Sequence, residues 1–231
     1  MTVKLAKQDY FNTRFCRMKQ AVITGGSGSL GQAIAAALKK PGWKIDTPTR
    51  AEMDVCDETA IKCYFQNHPS DLLVCVAGIT CDAPLLRLTE NMWDDVFMTN
   101  FKGAANCAKA AIPNMIKKQA GHIIFISSFS ALHPPVGQAA YSTAKAALLG
   151  FTQDLASRHG SSNIRINVIL PGFLETRMTA SVTEKRRIEV MNEHVLQRFN
   201  TPTIVGKFIY NLHHDLPHTS GQIFQLDSRI A

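Results

Sequence analysis

Residues 20–40 read QAVITGGSGSLGQAIAAALKK, and the order of features within them sets the fold. QAVIT is a short apolar run ending in β-branched residues, the composition of a strand buried on both faces. TGGSGSLG, Thr24–Gly31, follows at once. LGQAIAAALKK then carries apolar residues at helical spacing and closes on two lysines, the charge a helix C-terminus favours. Strand, glycine-rich turn and helix in direct succession place a helix N-terminus at a strand end. Free N–H groups and the positive end of the helix dipole meet there, and glycines let the backbone approach an anion closely. The ligand expected at such a turn is a phosphate or pyrophosphate.

The same alternation continues along the chain. WKIDT, DLLVCVAG, HIIFIS, IRINVIL and GQIFQLD are further strand-like runs, separated by helical segments near residues 57–67, 90–118, 138–157 and in pieces between 183 and 215. Strand and helix in alternation give a parallel sheet covered on both faces. The expectation is an α/β fold, a doubly wound parallel sheet of Rossmann-like type with about seven strands. No repeat or linker interrupts it, so residues 19–231 read as a single domain and residues 1–18 as an irregular basic N-terminal arm. A chain of this length buries roughly 70% of its unfolded surface, enough for a core without staples.

Bulk properties remove several function classes. Apolar residues make up 45% and charged residues 19%, a globular rather than a disordered balance. Six cysteines lie scattered without a Cys-x-x-Cys pair or a histidine at zinc spacing, which predicts reduced thiols and no metal site. No apolar run reaches the roughly 20 residues of a membrane helix, and no signal-peptide pattern opens the chain, so a cytoplasmic protein without a membrane partner is expected. The formal charge is +7, and residues 1–50 hold nine Lys and Arg against two acids. A basic start suits an anionic cofactor or an acidic partner. Nucleic acid is disfavoured, because no aromatics interleave with these charges and no binding motif is present.

YSTAK, Tyr141–Lys145, supplies a reactive constellation. Residues i and i+4 share a helix face, and Ser128, just past the strand HIIFIS, can reach the same cleft. Hydride addition to a carbonyl develops an alkoxide, which needs an acid and hydrogen-bond donors. An ammonium beside a phenol favours phenolate and lowers its pKa. Tyr141 is therefore the expected acid for reduction and base for oxidation. Lys145 is expected to tune it and Ser128 to hold the carbonyl oxygen.

These motifs resemble those of the short-chain dehydrogenase/reductase family from Lys19 to Asp227. The turn is similar to its Thr-Gly-x-x-x-Gly-x-Gly fingerprint, with Thr24, Gly25 and Gly31 in place, Leu30 at the apolar position and Ser29 where the middle glycine stands. The resemblance implies cofactor contacts from Gly25, Ser27, Ser29, Leu30 and Gly31. Ser128, Tyr141 and Lys145 match the family's Ser and Tyr-x-x-x-Lys, and the resemblance implies that Lys145 also binds the ribose of a nicotinamide cofactor. Asn100 falls where the family's asparagine kinks the long helix and holds a relay water. His133 reads as a loop histidine rather than a base.

Between the second strand and MDVCD the helix usual in the family is missing, and the chain resembles shortened members whose Thr-Arg pair binds a 2′-phosphate. That implies NADP(H), with Arg50 as the phosphate ligand. Asp54 and Val55 match the adenine contacts, and Ala77 and Gly78 match the end of the Asn-Asn-Ala-Gly segment. Cys75 and Val76 replace its asparagines, so the asparagine-mediated hydrogen bonds are expected to be absent. Pro171 and Gly172 match the turn over the nicotinamide, and Thr176 matches its carboxamide contact.

Within the family the chain is most similar to the 3-oxoacyl-[acyl-carrier-protein] reductases, on the strength of GQAAYSTAK, PGFLETRMT, LQRFNTP and SGQIFQLD. The resemblance implies NADPH-dependent reduction of an acyl-carrier-protein-linked 3-oxoacyl thioester in fatty acid or related biosynthesis, by a homotetramer or homodimer. Residues 177–200 are the expected lid, with Arg177, Lys185, Arg186 and Arg187 as candidate carrier contacts. Gln119 and Ser162 stand where the family has basic residues, and Asp227–Arg229 replaces an Asp-Gly-Gly. Two alternatives stay open: reduction of acetoacetyl-CoA or another ketone, and a non-catalytic NADP-binding sensor.

Overall fold

The computed structural model describes residues 18–230, so the basic arm expected over residues 1–18 lies, Met18 apart, outside the described residues. Six strands form a wholly parallel sheet: β1 (Lys19–Thr24), β2 (Trp43–Asp46), β3 (Leu72–Cys75), β4 (Gly121–Ile126), β5 (Ile164–Leu170) and β6 (Ile223–Gln225). Their order is β2-β1-β3-β4-β5-β6. Each strand falls on one of the apolar runs. Neighbouring side chains in a strand point to opposite faces, and here both faces are covered. Ala21, Ile23, Leu72, Val74 and Ile124 pack under α1 (Ser29–Leu38) and α7 (Pro202–His214). Val22, Leu73, Ile123 and Phe125 pack under α2 (Glu58–Asn67), α4 (Gly103–Lys118) and α5 (Ala139–His159). Burial on both sides is why these strands read as continuous apolar runs.

Six strands stand among the described residues where about seven were expected. The reason lies between β2 and α2, where the chain turns on itself instead of crossing back over the sheet. Thr49 donates from its N–H and its hydroxyl to the Glu52 carboxylate at 2.8 and 2.9 Å. The Met53 N–H returns to the Thr49 carbonyl at 2.9 Å, and the Asp57 carboxylate caps α2 by accepting from Thr59 and Ala60. β2 is therefore an edge strand.

The long helical stretch expected over 90–118 is also divided. α3 (Glu90–Phe97) and α4 are joined by a π turn, Met98–Lys102, with buried Asn100 at its centre. On the opposite face α1 and α7 pack at backbone distance, since a Cβ on Gly206 would lie 2.7 Å from the Ala33 carbonyl oxygen. α6 (Glu184–Glu193) stands over the C-terminal ends of the strands. The connection after β1 runs to β2 on one side and the connection after the adjacent β3 runs to β4 on the other, and open α/β sheets bind ligands at such a switch point. No helix among the described residues is long and apolar enough to cross a membrane.

Candidate active site

The β1–α1 turn occupies that switch point. Gly25 takes φ +66°, and a Cβ there would come within 2.8 Å of the Ala77 backbone. At Gly31 a Cβ would lie 2.5 Å from the Gly25 carbonyl oxygen. The turn is thus packed backbone against backbone, which only glycine permits. α1 starts at Ser29 behind Gly28, which gives no side-chain cap, so the first-turn N–H groups keep their donor capacity for a ligand. Ser29 is exposed and helical, and its hydroxymethyl group fits without strain. Cys75 is buried in the core. In place of asparagine-mediated bonds, Thr24 Oγ1 accepts from the Val76 and Ala77 N–H groups at 3.1 and 3.2 Å and ties β1 to β3.

Two hollows flank the turn. One, of about 1110 Å³, runs past Ser29, Leu30 and Gly31 to Ser128, Tyr141 and Lys145, beneath Pro171, Gly172 and Thr176. The other, of about 640 Å³, is bordered by Arg50, Asp54 and Val55. Gly25, Ser27, Ala77 and Gly78 border both. Two hollows meeting at a glycine turn, with unpaired first-turn amides of α1 beside it, have the chemistry to take a dinucleotide. Every residue assigned to the cofactor from the sequence borders one hollow or the other. Arg50 is 85% exposed, and its Nε donates to Asp54 Oδ2 at 2.8 Å. Asp54 also accepts from the Cys56 N–H, and that bond, ahead of Arg50, holds its pKa below the usual carboxylate range.

Ser128 follows β4 in extended conformation, and its hydroxyl oxygen accepts from the Ser130 N–H at 3.2 Å. Tyr141 and Lys145 lie one turn apart on α5. Lys145 is buried, its Nζ donates to the Ile126 carbonyl at 2.8 Å, and it stands 5.8 Å from the Tyr141 ring centre. Burial lowers the Lys145 pKa to about 8. The Tyr141 pKa is raised by burial, opposed by a hydrogen bond with Ser128 and reinforced by Asp82. The sequence argument gave the ammonium the upper hand over the phenol. In the folded chain burial of the phenol outweighs the ammonium, which stands 5.8 Å from the ring centre.

Asn100 borders neither hollow. Its Nδ2 donates to the Ile79 carbonyl and its Oδ1 accepts from the Ile79 N–H, both at 2.8 Å. A Cβ on Gly78 would lie 2.9 Å from Asn100 Oδ1 and 3.5 Å from Lys145 Nζ, so the three groups are layered. The asparagine amide fixes the segment after β3 rather than facing the cleft.

Sequence reasoning passed over Gln138 and Asp82. Gln138 Nε2 donates to Asp82 Oδ2 at 2.9 Å and its Oε1 accepts from Ser130 Oγ at 3.0 Å, linking three segments of the cleft wall. Its position three residues before Tyr141, on the same helix face, was the available signal. His133 stacks on Phe129 with ring centres 4.5 Å apart, a wall residue rather than a member of the cluster. Arg229 also reaches the cleft, with its guanidinium 3.4 Å from the Phe129 ring centre.

Known proteins share this arrangement. The family model for short chain dehydrogenases matches residues 46–187. A 3-oxoacyl-[acyl-carrier-protein] reductase of Chlamydia trachomatis is 33% identical, with 92% of this chain and 97% of that one covered. Reductases of the same name from Thermotoga maritima and Staphylococcus aureus are 38% and 30% identical, covering 70% and 83% of this chain and 66% and 89% of their own. A six-stranded doubly wound sheet, a glycine turn at its switch point and similarity of this extent lead to one conclusion: the chain belongs to the short-chain dehydrogenase/reductase family and is an oxidoreductase of the nicotinamide-dependent kind.

Proposed function

We propose that the protein reduces the keto group of a 3-oxoacyl thioester borne by an acyl carrier protein, with NADPH, to the 3-hydroxyacyl thioester. The observation that carries this reading is the meeting of Ser128, Tyr141 and Lys145 in one cleft, in a chain whose relatives are named for this reaction. Held along the two hollows, NADPH would supply the hydride for the carbonyl carbon. Ser128 donates its hydroxyl to the carbonyl oxygen. Tyr141, kept protonated by burial, delivers its proton to the alkoxide as charge develops there. Lys145 stabilises the phenolate left behind and binds the ribose hydroxyls. Asn100 holds the segment beside Gly78 in place.

Arg50 selects the cofactor. With Nε on Asp54, both terminal nitrogens remain for a 2′-phosphate, the bidentate geometry that guanidinium provides. Asp54 and Val55 border the adenosine half. At the rim, Arg187 pairs with Glu175 at 3.2 Å and Arg186 with Glu189 at 3.0 Å, whereas Arg177 and Lys185 are exposed and suit an acidic carrier. Assembly as a homodimer or homotetramer through α4 and α5, and action in the cytoplasm, belong to the same reading.

The test is NADPH oxidation with acetoacetyl groups on carrier protein, on coenzyme A and as small ketones. Turnover is expected to be best with the carrier-bound thioester, and Tyr141→Phe is expected to lose at least about a hundredfold in kcat. Undiminished activity in that variant would overturn the mechanism.

A further inference from the structure

The chain's last described residues enter the cleft. Beyond β6 they run beside the base of α6, where His194 and Arg229 form an antiparallel bridge. The Val195 N–H donates to the Ser228 carbonyl at 3.2 Å and the Leu196 N–H to Ser228 Oγ at 3.3 Å. From this tail the Arg229 side chain, only 8% exposed, turns inward. Its Nε donates to Asp227 Oδ2 at 2.8 Å, and Nη2 donates to the same oxygen. Its plane covers the Phe129 ring at 3.4 Å, and Phe129 also stacks on His133 at 4.5 Å with 24° between planes. Two planar groups cannot share one ring face at those distances, so the ring is held between them. Arg229 Nη1 is 3.7 Å from Glu193 Oε2, at the last residue of α6.

Asp227 fixes the other end of this arrangement. Its side chain is fully buried, and its Oδ1 accepts from Gln225 Nε2 at 2.9 Å. It lies against the turn at Gly172, where φ is +83° and a Cβ would come within 2.5 Å of Asp227 Cβ. One guanidinium therefore touches the residue that follows Ser128, the end of α6 and the carboxylate beneath the Pro171–Gly172 turn. A buried cation is tolerated only where its geometry and hydrogen bonds are good. Lysine cannot replace it, because a single ammonium cannot lie flat against the ring while two of its N–H groups converge on one carboxylate oxygen.

We propose that Arg229 is a positioning residue that clamps Phe129, and with it the neighbouring Ser128 hydroxyl, to the base of α6, so that the carbonyl-binding serine and the helix over the cleft hold one alignment. This rests on Ser128 being the carbonyl ligand, as proposed above.

Arg229→Ala and Arg229→Lys in the full chain test it with three readouts. For both variants kcat with an acetoacetyl thioester is expected to fall about tenfold to a hundredfold, the cost of misplacing a reacting group by an ångström or less. The dissociation constant for NADPH, read by fluorescence, is expected to stay within about twofold, because no cofactor contact is touched. Millimolar guanidinium is expected to restore part of the kcat of Arg229→Ala and none of that of Tyr141→Phe. Trypsin is expected to cut faster at Lys185, Arg186 and Arg187 in both variants. A kcat within twofold of the unaltered chain, with unchanged tryptic cutting, overturns the proposal. So does equal loss of NADPH binding, which would mark a general structural role. If Arg229→Ala does not fold, Arg229→Lys decides by the same measures. If the unaltered chain reduces no ketone, the functional reading fails, while tryptic cutting and NADPH binding still judge the clamp.

Discussion

Lys145 carries its charge only below a pKa of about 8, because burial strips its ammonium of water. The kcat/KM for ketone reduction reports the free enzyme, so it is expected to fall as pH rises through about 8. A profile flat to the pKa of an ordinary lysine would show that the charge is not needed. The sign for stability is opposite. Between that pH and the unfolded value the unfolded chain binds more protons, so this group makes the fold more stable as pH rises. Arg50 yields a second prediction: Arg50→Ala is expected to raise the KM for NADPH at least about tenfold and leave that for NADH unchanged. An unaltered NADPH value would remove it from the 2′-phosphate site. Ser128, Tyr141 and Lys145 were legible because their convergence is local, one helical turn plus one strand end. The glycines were legible because close backbone approach admits little else. The direction of the Tyr141 shift was not, since it depends on burial by distant segments. Nor were the Gln138–Asp82 and Arg229–Phe129 contacts, whose partners lie far apart in the chain.

At the scale of elements, α1 depends on α7. Gly206→Val would place a branched side chain 2.7 Å from the Ala33 carbonyl, and overpacking of this kind costs about 1–3 kcal/mol. Denaturant unfolding is expected to show that loss. Dinucleotide affinity should fall with it, since the N-terminal amides of α1 move with the helix. Unchanged stability would mean that the two helices can slide apart freely. The four inner strands were legible because burial on both faces leaves a continuous apolar run, and the half-exposed edge strands β2 and β6 followed from the alternation with helices. The kink at Asn100 was legible through the family resemblance, but its form as a π turn was not. What widens it is Asn100, whose amide bonds to Ile79 from another part of the sheet. The missing seventh strand was half visible, as an absent helix before MDVCD. Its replacement by a Thr49–Glu52 turn depends on side-chain hydrogen bonds that no periodicity records.

Across the whole molecule, the lower end of the sheet holds a buried polar chain that ties α7 to β4 and β5. The Gln222 N–H donates to Asn167 Oδ1, which fixes the amide, and Asn167 Nδ2 then donates to the Thr219 carbonyl and to His122 Nε2 at 3.0 and 3.1 Å. His122 must carry its proton on Nδ1, facing His213 Nδ1 at 3.3 Å. Burial pushes the His122 pKa well below its ordinary value. It lowers that of His213 to about 3, with help from His214, Arg165 and Lys19. Both are neutral in the fold and protonated in the unfolded chain below about 6.5. Stability is therefore expected to decline as pH falls from about 6.5 toward 3, by at most about 1.4 kcal/mol per pH unit for each group. Replacing both, as His122→Gln with His213→Gln, should flatten that decline in urea titrations, and an unchanged slope would place the acid sensitivity elsewhere. The contact between Gly206 and Ala33 also has a consequence for biosynthesis. The glycine turn after β1 is translated well before α7, the helix that braces α1. Contacts between segments so far apart in the chain form late, once the loop between them has closed. Until α7 has been made and has docked, a nascent chain therefore carries that turn on a helix without its brace.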